Sequence, residues 1–244
     1  MSEYEKSISL YDDGIGAVHY VDHMGSDLTV VNSARVSFGI NKPELDGRDR
    51  KLINYLIRHR HTSTLEHNSV TFKFVVPLFV RSQHHRHRTW SYNEISRRYT
   101  DKNLRFYEPD RFRTQHKSNR QASNAEELIN PTFAKYNTLV GLVPVSYPRA
   151  TEVIREHHEN SLRLFNKLID NGICREQARG VLPQNLYTEY YGTVNLNNLL
   201  KFIDLRTHEG AQWEIQKVAE ACLEIATDLW PITVESYRKL RGGT

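Results

Sequence analysis

The alternation of apolar and polar residues over 70–76 constrains the fold more than any other feature. Val70, Phe72, Phe74 and Val76 fall on one side of an extended chain, with Thr71 and Lys73 on the other. A strand with one buried face is expected, bounded by Pro77, whose fixed φ suits the first turn of a helix. No strand-helix-strand alternation repeats elsewhere. The expected class is therefore α+β, a strand-containing N-terminal half packed with a helix-rich C-terminal half, without a Rossmann unit. The segment DGIGAVH at 13–19 carries Gly-x-Gly but lacks the third glycine and a following helix pattern, and no Walker-type loop occurs.

Helical spacing marks 51–61 through Leu52, Ile53, Leu56 and Ile57, and 151–169 through Val153, Ile154, Leu162, Phe165, Leu168 and Ile169, with Asn171-Gly172 as the stop. A short helix is expected in REQARGVLP, another over 195–205, and a long one over 211–229 whose stripe is Ile215, Val218, Cys222, Ile225 and Leu229, ending at Pro231. A helix over 78–88 would set Gln83, Arg86 and His87 on one face and Arg81, His84, His85 and Arg88 on the next. The polar stretch 101–130 reads as an excursion, with some helix near Glu126, within a single domain over 1–244.

The start MSEYEKSISLYDDG has no apolar run behind it, and the longest apolar stretch, FVVPLFV, is too short to span a bilayer. Two cysteines, Cys174 and Cys222, make no disulfide framework. A protein without a membrane partner, in the reducing cytoplasm, is expected. Cys222 falls in an apolar stripe and is read as core; Cys174, beside Arg175, is the candidate activated thiol. His157 and His158, flanked by Glu156 and Glu159, read as a solvated helix face, and Trp213 and Trp230 as core or subunit-interface residues.

Net charge is only +4, from 33 Lys and Arg against 29 Asp and Glu. The excess is concentrated. Residues 81–100, RSQHHRHRTWSYNEISRRYT, hold five arginines and three histidines against one glutamate. Arginine grips phosphate and carboxylate bidentately, and Trp90, Tyr92, Ile95 and Tyr99 interleave with the charges. An anion pocket with a stacking surface is expected, and a solvated, salt-bridged face is the bland alternative. A module binding RNA or single-stranded nucleic acid through 81–99 is a further reading, weakened by the modest charge and the single patch. No metal site is expected: Cys-x-x-Cys and acidic clusters are absent, and Arg86 and Arg88 beside His87 would repel a divalent cation.

The run RHRTWSYNEISRRY, with Arg-His-Arg, seven residues and Ser, resembles the signature of the flavin-dependent thymidylate synthases. HTSTLEH at 61–67, REQARGVLPQNLYTEYYGTVNLNNL at 175–199 and DLRTHEGAQWEIQ at 204–216 are similar to that family in order and spacing. The resemblance covers roughly 20–235 and implies conversion of dUMP to dTMP, with methylenetetrahydrofolate as one-carbon donor, FAD as redox cofactor and NADPH as reductant. It also implies a homotetramer whose sites are shared between subunits.

Position by position, the resemblance assigns Gln83, Arg86, Glu94, Ser96, Arg97 and Arg98 to the nucleotide, together with Arg179. Arg206 resembles the arginine that activates the uracil. His61, Ser63, Arg86, His87 and Arg88 match positions that hold FAD, as do Glu94, Asn195 and Asn197. No enzyme thiol is needed in that chemistry, and Ser96 lacks an adjacent base that would make it a nucleophile. Two positions depart from the pattern: Lys201 stands where the family usually has Asn or His, and Gly210 where it usually has His, with His208 nearby as a substitute.

Overall fold

The computed structural model describes residues 6–120, 122–136 and 144–241. Along the chain come β1 (Ser7–Ser9), β2 (Ala17–Met24), α1 (Asp27–Arg35), α2 (Asp49–Arg58), β3 (Ser69–Pro77), α3 (Leu78–His84) and β4 (Ser91–Glu94). Then follow β5 (Phe112–Gln115), β6 (Ser123–Ile129), β7 (Lys135–Tyr136), β8 (Pro144–Ser146), α4 (Ala150–Asp170) and α5 (Arg175–Ala178). The last elements are β9 (Tyr187–Asn195), α6 (Leu196–Thr207), α7 (Trp213–Leu229) and α8 (Pro231–Arg241). Antiparallel strands and packed helices make this an α+β protein, as expected. The chain forms two compact units, one of 1–75, 82–94 and 189–244, the other of 76–81 and 95–188.

In the first unit the sheet order is β1-β2-β3-β9-β4. The alternation that identifies β3 is realised: Val70, Phe72 and Phe74 are buried while Thr71 and Lys73 face outward, Lys73 pairing with Glu189 at 3.0 Å. Gly192 on β9 is required by close approach, because a Cβ there would sit 2.9 Å from the Phe74 ring and 3.2 Å from Trp90. Helix α7 packs against β2 and buries Ile215, Val218, Cys222 and Ile225 at helical spacing, and α6 packs on α7 with Leu199 and Phe202 buried.

One helix was not foreseen. Pro231 does end α7, but it also opens α8 as a first-turn proline. The N–H groups of Ile232 and Thr233 donate to the carboxylate of buried Asp27, each at 2.9 Å, and the Thr233 hydroxyl donates to it at 2.6 Å. Asp27 on α1 thus satisfies donors that a helix start leaves unpaired.

In the second unit β5 and β6 pair as an antiparallel hairpin. Glu126 lies in β6, so the expected helix there is corrected to a strand; the pairs Thr114–Asn124 and Arg113–Leu128 with β5 flank Glu126 and Glu127, which fall in the bulge between them. Residue 121 of the excursion lies outside the described residues. Helix α4 matches its expected span, but its buried side is Ala150, His158, Ser161 and Phe165. His158 is therefore no solvated residue: at 2% exposure it stacks on Phe106 at 4.5 Å and shares hydrogen bonds with Glu108 and Asn185, each at 2.6 Å.

Candidate active site

Helix α3 stops at His84, four residues short of the expected end at 88. The reason is the burial of His84. Its ring packs edge-on to Trp90 at 4.5 Å and Phe74 at 4.7 Å, and its Nδ1 shares a hydrogen bond with the Tyr190 hydroxyl at 2.8 Å. Burial first, then the neighbouring His87 and His85 imidazoles, push its pKa well below the ordinary histidine value, so the ring is neutral. Two tight turns follow, with Arg86 N–H donating to Gln83 O and His87 N–H to His84 O, before the chain enters β4. The face that a continued helix would have given Gln83, Arg86 and His87 is thus replaced by a turn.

That turn brings His87 to Arg206 in the last turn of α6. The Arg206 Nε donates to His87 Nε2 at 3.0 Å, and its Nη2 donates to the Gln83 carbonyl at 3.2 Å. Burial, and then the Arg206 charge, lower the His87 pKa to about 4. The imidazole is a neutral acceptor, and both groups holding the guanidinium are uncharged. Arg206 therefore keeps its full charge for a ligand instead of spending it on a carboxylate.

The Gln83 side chain is held as well. Its Nε2 donates to Gln212 Oε1, and Gln212 Nε2 donates to Glu214 Oε2 at 2.9 Å. Glu214 is 4% exposed. Gln212 and Glu214 were not singled out in the sequence, although both lie in the stretch DLRTHEGAQWEIQ.

The remaining positions assigned to FAD also lie in this unit. Asn195 caps α6, its side chain accepting from Asn198 N–H at 2.9 Å. Buried Asn197 donates to Glu66 Oε1 at 2.9 Å, which ties the start of α6 to the short turn Thr62–Leu65 beside His61 and containing Ser63. Arg86 and Arg88 are exposed and join none of the ion pairs among the described residues. Two exposed guanidinium groups outside those ion pairs have the chemistry to hold the diphosphate of a dinucleotide. At the departing positions, His208 folds over Gly210, accepting from its N–H at Nδ1 at 3.0 Å, and Lys201 is exposed.

The basic window divides between the units after Glu94. In the second unit the Ser96 hydroxyl accepts from Arg98 N–H at 3.3 Å, and Arg97 donates to the carbonyls of Lys102 and Tyr187 at 2.9 and 3.2 Å. Arg98 lies over the Tyr99 ring, 5.6 Å from its centroid, and Arg179 is exposed on the turn Arg179–Val181. The expected stacking surface is only partly there: Trp90 is 6% exposed and belongs to the core, whereas Tyr99 is 80% exposed. Of the two thiols, Cys222 is buried, its pKa raised by burial, and Cys174 is exposed. Among the described residues no cluster of three His, Cys, Asp or Glu side chains is placed to hold a metal ion, and no helix is long and apolar enough to cross a membrane.

Comparison with known proteins places this arrangement. A family model described as thymidylate synthase complementing protein matches residues 19–232. A flavin-dependent thymidylate synthase of Thermus thermophilus is 40% identical over 226 residues, 92% of this chain and 76% of the relative. One from Thermosipho melanesiensis is 38% identical over 92% of this chain and 91% of its own. A solved UMP/dUMP methylase, PolB from Streptomyces cacaoi bound with 5-Br dUMP, superposes with a TM-score of 0.76 at 33% identity, covering 95% of this chain and 97% of that one. The chain belongs to the thymidylate synthase complementing protein family.

Proposed function

We propose that this protein methylates dUMP to dTMP, with methylenetetrahydrofolate as one-carbon donor and NADPH as reductant through FAD. The observation that carries the reading is Arg206, a part-buried cation held, among the described residues, by the uncharged His87 ring and the Gln83 main-chain carbonyl. C5 of uracil is a poor nucleophile until negative charge can collect at N3 and O4. An arginine fixed beside the ring stabilises that charge without titrating itself. FAD, when bound, supplies the redox chemistry that converts the transferred carbon to a methyl group.

Gln83, Arg86, Glu94, Ser96, Arg97, Arg98 and Arg179 are the proposed nucleotide contacts. His61, Ser63, Arg86, His87, Arg88, Glu94, Asn195 and Asn197 are the proposed flavin contacts. No enzyme thiol takes part in this reading; Cys222 is buried and Cys174 is exposed. The active form is a homotetramer sharing its sites, each chain serving as one synthase domain.

The test is turnover: purified protein supplied with dUMP, FAD, methylenetetrahydrofolate and NADPH should release dTMP. Absence of dTMP under those conditions, with the protein folded and tetrameric, rejects the reading.

A further inference from the structure

Both groups that hold Arg206 belong to one short stretch, 83–87: the Gln83 carbonyl and the His87 ring. Its backbone is closed by two turn hydrogen bonds, Arg86 N–H to Gln83 O at 3.3 Å and His87 N–H to His84 O at 2.9 Å. A third tie comes from outside it. The Tyr92 hydroxyl reaches back from β4 to the His84 carbonyl at 2.9 Å and to the His87 carbonyl at 3.2 Å. Carbonyls only accept, so the phenol must donate its one proton to the pair. Burial first raises its pKa above the ordinary phenol value, which keeps that proton in place. The ring is seated independently of these bonds: it stacks on His85 at 4.1 Å, and Tyr92 stands opposite Gly192 in the β4–β9 ladder.

We infer that Tyr92 is a positioning residue for the arginine that activates the uracil: its hydroxyl fastens the 83–87 turn to the sheet and so fixes the two acceptors that aim Arg206. A cation stabilises charge developing on a substrate only as far as it is already in place when the charge appears, and a long side chain is kept in place by its acceptors. A phenol does this without bringing a carboxylate to the guanidinium. The inference rests on the reading of Arg206 as the activating group and extends it to a side chain that acts through the turn.

Tyr92→Phe keeps the stacked ring and removes only the donor. Two quantities are read on the full chain: turnover of dUMP, and the His87 pKa by NMR of histidine-labelled protein, with His87→Gln assigning the signal. The expected fall in kcat is about tenfold, the worth of one hydrogen bond, while the dissociation constant for dUMP stays within about twofold. The His87 pKa should rise from about 4 to above about 5, because a loosened turn lets the ring leave Arg206 and meet water. A residue that served folding alone would change the melting temperature and leave both quantities unmoved in the folded protein. Tyr92→4-aminophenylalanine returns an N–H donor to the same place and should restore both. If Tyr92→Phe does not fold, Tyr92→His, whose smaller ring ends short of the two carbonyls and admits water to them, carries the same expectations. An unchanged kcat or His87 pKa in the variant without the donor, or no recovery with 4-aminophenylalanine, overturns the inference alone. Unmodified protein that makes no dTMP overturns the synthase reading from which it starts.

Discussion

Arg206 and His87 lie 119 residues apart in sequence and meet through a single hydrogen bond, from the guanidinium Nε to the imidazole Nε2 at 3.0 Å. The contact fixes the side chain without neutralising it. Arg206→Lys keeps the charge but loses the planar fork that reaches His87 and Gln83 together. Turnover should fall about a hundredfold or more while the melting temperature stays near that of the unmodified protein. Near-normal dTMP formation by this variant would remove Arg206 from the chemistry.

The His87 pKa, lowered to about 4 from the ordinary 6.5, carries a pH dependence. Between those values the unfolded chain binds a proton that the folded chain does not. Stability therefore rises with pH, is fully present above about 6.5 and is lost as pH falls toward 4. Buried His84 acts in the same direction. Thermal unfolding followed from about pH 7 down to pH 4.5 should show the decline, and His87→Gln should flatten part of it. An unchanged slope in that variant would mean that His87 does not contribute.

Asp49, fully buried at the start of α2, is a second titrating anchor. Burial alone would raise its pKa, yet hydrogen bonds from Lys42, from the Asp46 N–H and from Arg35 at 2.7 Å hold it at about 2. Its contribution is present above the ordinary carboxylate value and is lost as pH falls through 2. Asp49→Asn removes the charge that Lys42 and Arg35 surround and should cost about 3 kcal/mol in chemical denaturation. A loss below about 1 kcal/mol would show that the two part-buried cations find solvent instead.

The proposed function has Ser96 bind the nucleotide and not attack it; its hydroxyl accepts from the Arg98 N–H. Ser96→Ala should weaken dUMP binding and leave substantial turnover at saturating substrate. Complete loss of kcat with dUMP affinity intact would instead point to a serine nucleophile.

Most of the helical framework is legible in the sequence, because the stripe of α7 and the stop of α4 depend on local spacing. Gly172, at φ +83°, occupies the left-handed position that the Asn171-Gly172 stop anticipates. Strand β3 is legible for the same reason. Strands β2 and β9 are not: β2 carries a register shift between Tyr20 and Asp22 that breaks its alternation, and β9 buries Tyr190 through a hydrogen bond to His84, 106 residues away. The turn after His84 is hidden likewise, since a buried histidine and Trp90 end a helix that local spacing would continue. At the site, the motif identifies Arg206 and Gln83, but the partners that orient them come from elements far apart in the chain. Gln212 and Glu214 read locally as the ordinary beginning of a helix.

The visible absorption spectrum of the purified protein, recorded before and after adding dUMP, tests the central claim most directly. An oxidised-flavin spectrum that shifts on dUMP addition is the predicted result, because the proposed flavin and nucleotide contacts share Arg86 and Glu94. A colourless protein that takes up no added FAD, or a flavin spectrum indifferent to dUMP, would contradict the account.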